Sequence, residues 1–130
     1  MTSKIRALNY YHPRIKMRDS VGWREVAEYI AAISTVSEVD VIAVLSGLHK
    51  AIIHFNGRGH GVRLEGLGTY LPNINYKGEF DVAHRLDKRL KRALNNANFD
   101  GTIINKQHIG KTSDEVIALW NAEHPEDPVE

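Results

Sequence analysis

Hydrophobic residues recur at helical spacing in two consecutive segments of the chain. The first segment, residues 23–34, predicts an amphipathic helix that begins at Ser20 or Gly22. The second begins after Ser37, which stands three residues before Asp40 in a near-match to a capping box, and it ends at an Asn-Gly pair. Its apolar surface is broader than one small neighbouring helix would cover, and a dimer interface is one explanation.

Period-two patterns follow the two helices. Residues 62–65 alternate apolar and charged side chains, and residues 69–75 form a second alternating run beyond Gly66-Leu67-Gly68. A further reversal at Lys77-Gly78 leads into residues 80–84, which alternate again. The pattern therefore predicts a three-stranded antiparallel meander.

The two ends of the chain carry weaker signals. Residues 4–11 alternate as a strand would, which predicts an edge strand ended by His12-Pro13. Thr112 and Glu115 form a capping box that begins a final helix. We expect Trp120, on that helix, to anchor the C-terminal segment on the body of the protein.

A short basic segment follows the meander. Asp87 begins a helix in which Leu86, Leu90 and Leu94 share one side, and the remaining positions are crowded with cations. This arrangement fits phosphate contacts, since cations project from a helix held by an apolar stripe. A solvated helix surface with internal pairs such as Asp87 with Lys91 is the alternative interpretation.

The net charge of +1 hides an uneven distribution. Residues 1–111 hold 17 Lys and Arg against ten Asp and Glu, whereas residues 112–130 hold six acids and no Lys or Arg. A basic body with an acidic tail is compatible with a polyanionic partner whose binding the tail moderates, so removal of residues 112–130 is expected to tighten binding. There is no cysteine, no secretion signal and no apolar run of about 20 residues, so we expect a cytoplasmic protein without a membrane partner.

Motifs for other functions are weak. His49 and His54 are five residues apart on a helix, which does not place both on one face as a metal pair requires. The glycine-rich stretch 57–61 follows a helix and precedes a strand, the reverse of a phosphate loop, and Gly110-Lys111-Thr112 lacks the upstream glycine of a nucleotide-binding motif. No nucleophile and base can be paired. We therefore expect no enzyme activity, metal, cofactor or small-molecule substrate.

Two motifs resemble those of the HU and integration-host-factor family of bacterial DNA-binding proteins. The stretch VRLEGLGTY at 62–70 is similar to the family's strand-turn-strand signature, with Leu67 at the usual first aromatic position. The stretch HRLDKRLKRALN at 84–95 is similar to its closing motif, with matches at Arg85, Lys88, Leu90, Lys91, Leu94 and Asn95. The resemblance covers residues 21–96.

The resemblance implies an α+β, HU-like fold: a two-helix base, a three-stranded antiparallel sheet and a short basic helix, in an intertwined homodimer. Residues 1–20 would be an N-terminal extension, 21–96 the DNA-binding domain, and 97–130 a C-terminal extension with a short helix and an acidic tail. The hairpin at 71–80, LPNINYKGEF, is too short for the family's long DNA-wrapping arm, whose tip proline wedges between base steps.

The expected function is therefore architectural, sequence-tolerant binding of duplex DNA in the bacterial nucleoid, with weak or shape-dependent affinity. The expected DNA contacts are Arg58, Arg63, Lys77, Arg85, Lys88, Arg89, Lys91 and Arg92, although loop solubility also explains Arg58 and Arg63. The alternative function is a dimeric assembly or scaffold module that kept the fold and lost the arm.

Overall fold

A computed structural model describes residues 1–129 of the chain, which divide into two compact units. The central unit is Asp19–Phe99, and the terminal unit combines Met1–Arg18 with the chain from Asp100 onward. No helix in the described part of the chain is both long enough and apolar enough to cross a membrane. In chain order the elements are α1 (Lys4–Tyr11), β1 (Arg14–Ile15), α2 (Trp23–Ile33), α3 (Glu38–Asn56), β2 (Val62–Leu64), β3 (Gly68–Ile74), β4 (Phe80–Leu86), α4 (Lys88–Asn96), β5 (Ile103–Ile104), a 3-10 turn (Lys106–His108) and α5 (Ser113–Glu123).

The paired helices α2 and α3 begin at the predicted caps. Gly22 is the N-cap of α2, and its backbone N–H donates to Glu25 Oε2 at 2.9 Å. Ser37 caps α3 by accepting a hydrogen bond from the Asp40 N–H at 3.2 Å. Gly57 ends α3, as the Asn-Gly pair predicts. The structure thus confirms these helix ends. They could be predicted because each depends on a short polar residue or a glycine that satisfies neighbouring backbone groups.

The antiparallel sheet β2-β3-β4 confirms the predicted meander. Its register pairs Val62 with Tyr70 and Ile74 with Phe80, so the alternation of side chains gives the sheet two distinct faces. The apolar face consists of Val62, Leu64, Tyr70, Pro72, Ile74, Phe80, Val82, His84 and Leu86. The polar face consists of Arg63, Thr69, Leu71, Asn73, Asp81, Ala83 and Arg85.

Helix α3 lies toward the apolar face of the sheet, and an open groove separates its C-terminal half from the outer part of the hairpin. The groove has a volume of about 530 Å³ and is lined by Ile52, Ile53, Ile74, Phe80 and Val82, among others. The central unit therefore does not fill the space between its helices and its sheet.

Residues 4–11 were expected to form an edge strand, and this prediction is wrong because they form α1. Ser3 caps the helix by accepting a hydrogen bond from the Arg6 N–H. Ala7 and Tyr11, one helical turn apart, are buried against Val116 and Trp120 of α5. In a strand, the two side chains would also lie on one face. They would then be farther apart than on a helix, and too far apart to pack together against α5.

The C-terminal segment is folded as part of the terminal unit. Thr112 caps α5 as predicted, and Trp120 anchors the segment with α1 as its packing partner. The Trp120 indole also donates to the Asp127 carbonyl at 2.7 Å, and Asp127 contacts the Met1 ammonium at 3.3 Å. Deleting residues 112–130 would remove half of this core, so the deletion is not a clean test of whether acidic residues compete with DNA.

Candidate nucleic-acid interface

Charge is segregated within the central unit. Residues 19–57, which contain α2 and α3, hold two Lys or Arg and five Asp or Glu, a net charge of −3. Residues 58–99, which contain the sheet and α4, hold eight and four, a net charge of +4. Those eight cations are the eight expected DNA contacts. The helical base and the sheet region therefore have opposite charge.

Asp87 fixes the start of α4 to the turn between β2 and β3. Its carboxylate accepts from the Arg89 N–H at 2.8 Å and from the Gly66 N–H at 3.0 Å, and its own N–H donates to the Leu67 carbonyl at 3.0 Å. The hydrogen bond from the Arg89 backbone, followed by the one from Gly66, holds the pKa of Asp87 below its ordinary value. Asp87 therefore links the two stretches that resemble the family motifs, residues 62–70 and residues 84–95.

Replacing Asp87 with Ala should lower the melting temperature at neutral pH by about 4–8 °C, as expected for a lost helix cap in a domain of this size. The folded state lowers the Asp87 pKa, so the carboxylate stabilises the fold above its unfolded pKa of about 3.9 and this contribution is lost as the pH falls further. The melting difference between wild type and Asp87→Ala should therefore shrink in acid. A thermal melting series by circular dichroism from neutral to acidic pH measures it, and a difference that stays constant contradicts this role.

Helix α4 separates its cations from its apolar side. At 100° per residue, Lys88, Lys91 and Arg92 share one exposed face, whereas Leu90 and Leu94 lie on the other. Arg89 lies on the flank, with nitrogens 4.0 Å from a Glu65 oxygen and 3.9 Å from an Asp87 oxygen. The Asp87–Lys91 pair, named as an example in the alternative interpretation, does not form among the described residues, and Asp87 lies beside Arg89 instead.

The sheet adds a second cationic group on its polar face. Arg63 of β2 and Arg85 of β4 both oppose Thr69 of β3, so the three side chains form one row across the sheet. Both arginines are exposed. Because α4 follows directly from β4, Arg85 and Lys88 stand three residues apart at the junction of the sheet and the helix.

The remaining two predicted contacts lie on turns. Arg58 follows α3 and its guanidinium donates to the His54 carbonyl at 3.0 Å, which fixes it at the C-terminal end of that helix. Lys77 lies on the β3–β4 turn, where its N–H donates to Asn75 Oδ1 at 2.9 Å. The structure thus groups Arg63 with Arg85 on the sheet and Lys88, Lys91 and Arg92 on α4, and it does not place Arg58 or Lys77 in either row.

Three exposed cations outside the predicted set lie on or beside β1: Arg14, Lys16 and Arg18. A charge count over residues 1–111 as a whole does not separate these cations from those of the central unit. A finer division would have found them, since residues 1–18 contain five Lys or Arg and no Asp or Glu. In the part of the chain that the structure describes, no cluster of His, Asp and Glu has the arrangement to hold a metal ion.

Comparison with known proteins gives a family assignment. A search of curated proteins finds no match to the chain. A family profile described as an HU domain fused to wHTH, Ig, or a glycine-rich motif matches residues 4–93, which include α1 and extend into α4. HU-type domains are DNA-binding rather than enzymatic. With more than half of its length matched, and with the helix pair, glycine-punctuated meander and basic helix in place, the chain belongs to this HU-domain family.

Proposed function

We propose that the protein is an architectural DNA-binding protein of the bacterial nucleoid, in the cytoplasm, that binds duplex DNA as a homodimer and with little regard to sequence. The observation that carries the proposal is the concentration of positive charge on the sheet and α4, opposite an acidic helical base. The contact surface would consist of Arg63 and Arg85 on the polar face of the sheet and Lys88, Lys91 and Arg92 on α4.

The physical basis is the phosphate backbone of DNA. Cations that neutralise phosphates release condensed counterions, which gives affinity without information about sequence. Sequence reading requires side chains that reach base edges in the major groove, usually from a helix presenting Arg, Asn or Gln at its centre. On the cationic face of α4, the side-chain amide of Asn95 already donates to the Lys91 carbonyl at 2.9 Å, so Lys88, Lys91 and Arg92 remain as the free donors, which suits phosphates better than base edges.

Exposed apolar surface supports the homodimer. On the outer hairpin Ile74 is 59% exposed and Phe80 is 82% exposed, and on α3 Ile53 is 59% exposed. These three side chains line one groove, so they form a continuous apolar surface rather than scattered exposed positions. Soluble proteins bury surfaces of this kind in an interface, and a second copy of the chain is the partner that an HU-type domain suggests.

Phe80→Asp should convert the dimer to monomers, because a carboxylate in this apolar groove would be buried without a partner. Phe80 is largely exposed within one chain, so the substitution should leave the fold of that chain intact. Tyr76→Asp is the matched control, since Tyr76 is fully exposed at the hairpin tip and does not line the groove. Light scattering should give twice the chain mass of 14.7 kDa for wild type and for Tyr76→Asp. A wild-type monomer, or a Phe80→Asp dimer, would contradict this interface.

The proposed function is tested by titrating a short duplex of mixed sequence with the protein at several salt concentrations. The logarithm of the binding constant should fall linearly with the logarithm of the salt concentration, with a slope of about −0.9 for each phosphate contact. Two duplexes of unrelated sequence should bind similarly. Absence of binding to any duplex at low salt would refute the proposal.

A dimeric scaffold that does not wrap DNA is the second candidate, and the form of the hairpin favours it. Seven residues of β3 pair with seven of β4, and the strands are closed by a compact turn in which Asn75 Oδ1 accepts from the Lys77 and Glu79 N–H groups. The turn contains no proline that could wedge between base steps. If duplex binding is absent while the dimer forms, this second function is favoured.

A further inference from the structure

Residues 1–18 carry most of the positive charge that residues 1–111 have in excess. Residues 1–18 contain five cations and no acid, a net charge of +5, whereas the whole central unit has ten Lys or Arg and nine Asp or Glu, a net charge of +1. The five cations are Lys4, Arg6, Arg14, Lys16 and Arg18. The basic character of residues 1–111 therefore belongs mainly to a segment that the DNA-binding surface proposed above does not include.

Three of these cations lie on or directly after the first strand of a short two-stranded ribbon. β1 pairs antiparallel with β5, with Arg14 opposite Ile104, and the pairing continues as the Lys16 N–H donates to the Thr102 carbonyl at 2.9 Å. Arg14 and Lys16 are two residues apart in an extended chain, so they lie on one face of the ribbon, about 7 Å apart along the strand. Arg18 follows two residues later in the sequence, and its guanidinium donates to the Asp100 carbonyl at 3.4 Å.

The ribbon is fixed to the core of the terminal unit. Asn105, directly after β5, has a left-handed backbone with φ of 61°, and its side-chain amide donates to the carbonyls of Tyr10 at 3.0 Å and His12 at 3.2 Å. These carbonyls lie where α1 ends and the chain turns into β1, and the neighbouring Tyr11 is buried against Trp120. Arg14 and Lys16 are therefore presented from a positioned backbone rather than from a loose tail.

Two acids of the terminal unit, Glu123 and Asp127, contact groups other than these cations. Glu123 accepts a hydrogen bond from the Tyr11 hydroxyl, and Asp127 contacts the Met1 ammonium and the Thr2 hydroxyl. Among residues 1–129, no carboxylate lies within ion-pair distance of Arg14, Lys16 or Arg18. All three side chains are exposed. The ribbon is thus a row of unneutralised cations, the electrostatic footprint expected of a phosphate-binding surface.

We propose that the β1–β5 ribbon is a second contact for duplex DNA, in which Arg14, Lys16 and Arg18 bind successive phosphates. The proposal rests on the proposed function, since it takes DNA as the ligand, but it concerns a separate unit and separate residues. The spacing of Arg14 and Lys16 on a paired backbone matches the regular charge of a nucleic-acid backbone, whereas an acidic protein surface has no such repeat. The added contacts would raise affinity without adding sequence preference.

The test uses the full-length protein and compares variants of equal net charge. Arg14→Gln/Lys16→Gln removes two ribbon cations and leaves Arg18, whose hydrogen bond to Asp100 helps to hold the ribbon. The matched control is Arg24→Gln/Lys50→Gln, which removes two exposed cations of the acidic helical base. The ribbon variant should bind a duplex at least about 3-fold more weakly, with a salt slope smaller by about 0.9 for each lost contact, and the control should bind as wild type.

A second measurement locates the contact. Amide hydrogen exchange across residues 13–18 should slow when duplex DNA is added to wild type, since the ribbon backbone becomes shielded. A ribbon variant with wild-type affinity and slope, or unchanged exchange in this segment, overturns the ribbon proposal alone. Loss of binding on substitution in α4, with the ribbon variant unaffected, supports the proposed function without the ribbon. Absence of duplex binding by wild type overturns both.

Discussion

Neutralising Lys88 and Lys91 together should weaken binding to duplex DNA by roughly 10- to 100-fold at moderate salt. Each lost phosphate contact removes about 0.9 from the salt slope, so a dimer that loses four charges should lose up to about 3.6. The effect is large because the two lysines lie on one face of α4 that carries no acid. The neighbouring Arg89, by contrast, is already paired with the carboxylates of Glu65 and Asp87. Fluorescence anisotropy of a labelled duplex across a salt series measures both quantities.

The comparison is made with Arg24→Gln/Lys50→Gln, which changes net charge by the same amount on the helical base. If both double variants weaken binding equally, only the overall charge of the protein matters and α4 is not the contact surface. Substitution of the solvent-facing Lys88 and Lys91 should not change the fold, and the melting temperature provides that check. Equal affinities for Lys88→Gln/Lys91→Gln and wild type would remove α4 from the interface.

Replacing Trp120 with Ala should unfold the terminal unit, because loss of a buried tryptophan typically costs about 3–5 kcal/mol. Trp120 is 3% exposed, packs with Ala7, Tyr11 and Val116, and donates a hydrogen bond to the Asp127 carbonyl. Few other side chains are buried in this unit, so little remains to replace its contribution. Exchange protection of α1 and α5 should be lost, while α3 should keep its protection.

The second tryptophan supplies the control. Trp23→Ala removes a side chain that is 53% exposed and should cost much less stability. It also leaves Trp120 as the single tryptophan, so urea unfolding followed by fluorescence then reports on the terminal unit. Burial, followed by the hydrogen bond to Glu123, raises the pKa of Tyr11, so loss of this core should return that pKa toward its ordinary value. Retained protection of α1 in Trp120→Ala would contradict the assignment of this core.

Features determined by neighbouring residues could be predicted from the sequence. The caps at Ser37, Asp87 and Thr112 follow from short polar side chains placed before apolar periodic runs, and the structure confirms all three. The two sheet faces follow from the alternation of residues on either side of the glycine turn. The cationic face of α4 also follows from spacing alone.

Features determined by distant residues could not be predicted. The alternation in residues 4–11 fits a strand about as well as the positions of Ala7 and Tyr11 fit a helix. The decision comes from Val116 and Trp120, more than 100 positions later, which pack on the helical arrangement. In the same way, nothing near β1 indicates that β5 would pair with it and fix the backbone of Arg14 and Lys16.

The division of the terminal unit between the two ends of the chain has a consequence for folding during synthesis. An eight-residue helix such as α1 is marginal in isolation, and its partner α5 leaves the ribosome only after the entire central unit. The central unit, which is a compact unit formed by the continuous stretch of residues 19–99, is free to fold first. The basic ribbon should therefore be assembled last, so a nascent chain would acquire the proposed DNA contacts on the sheet and α4 before the proposed contacts on β1.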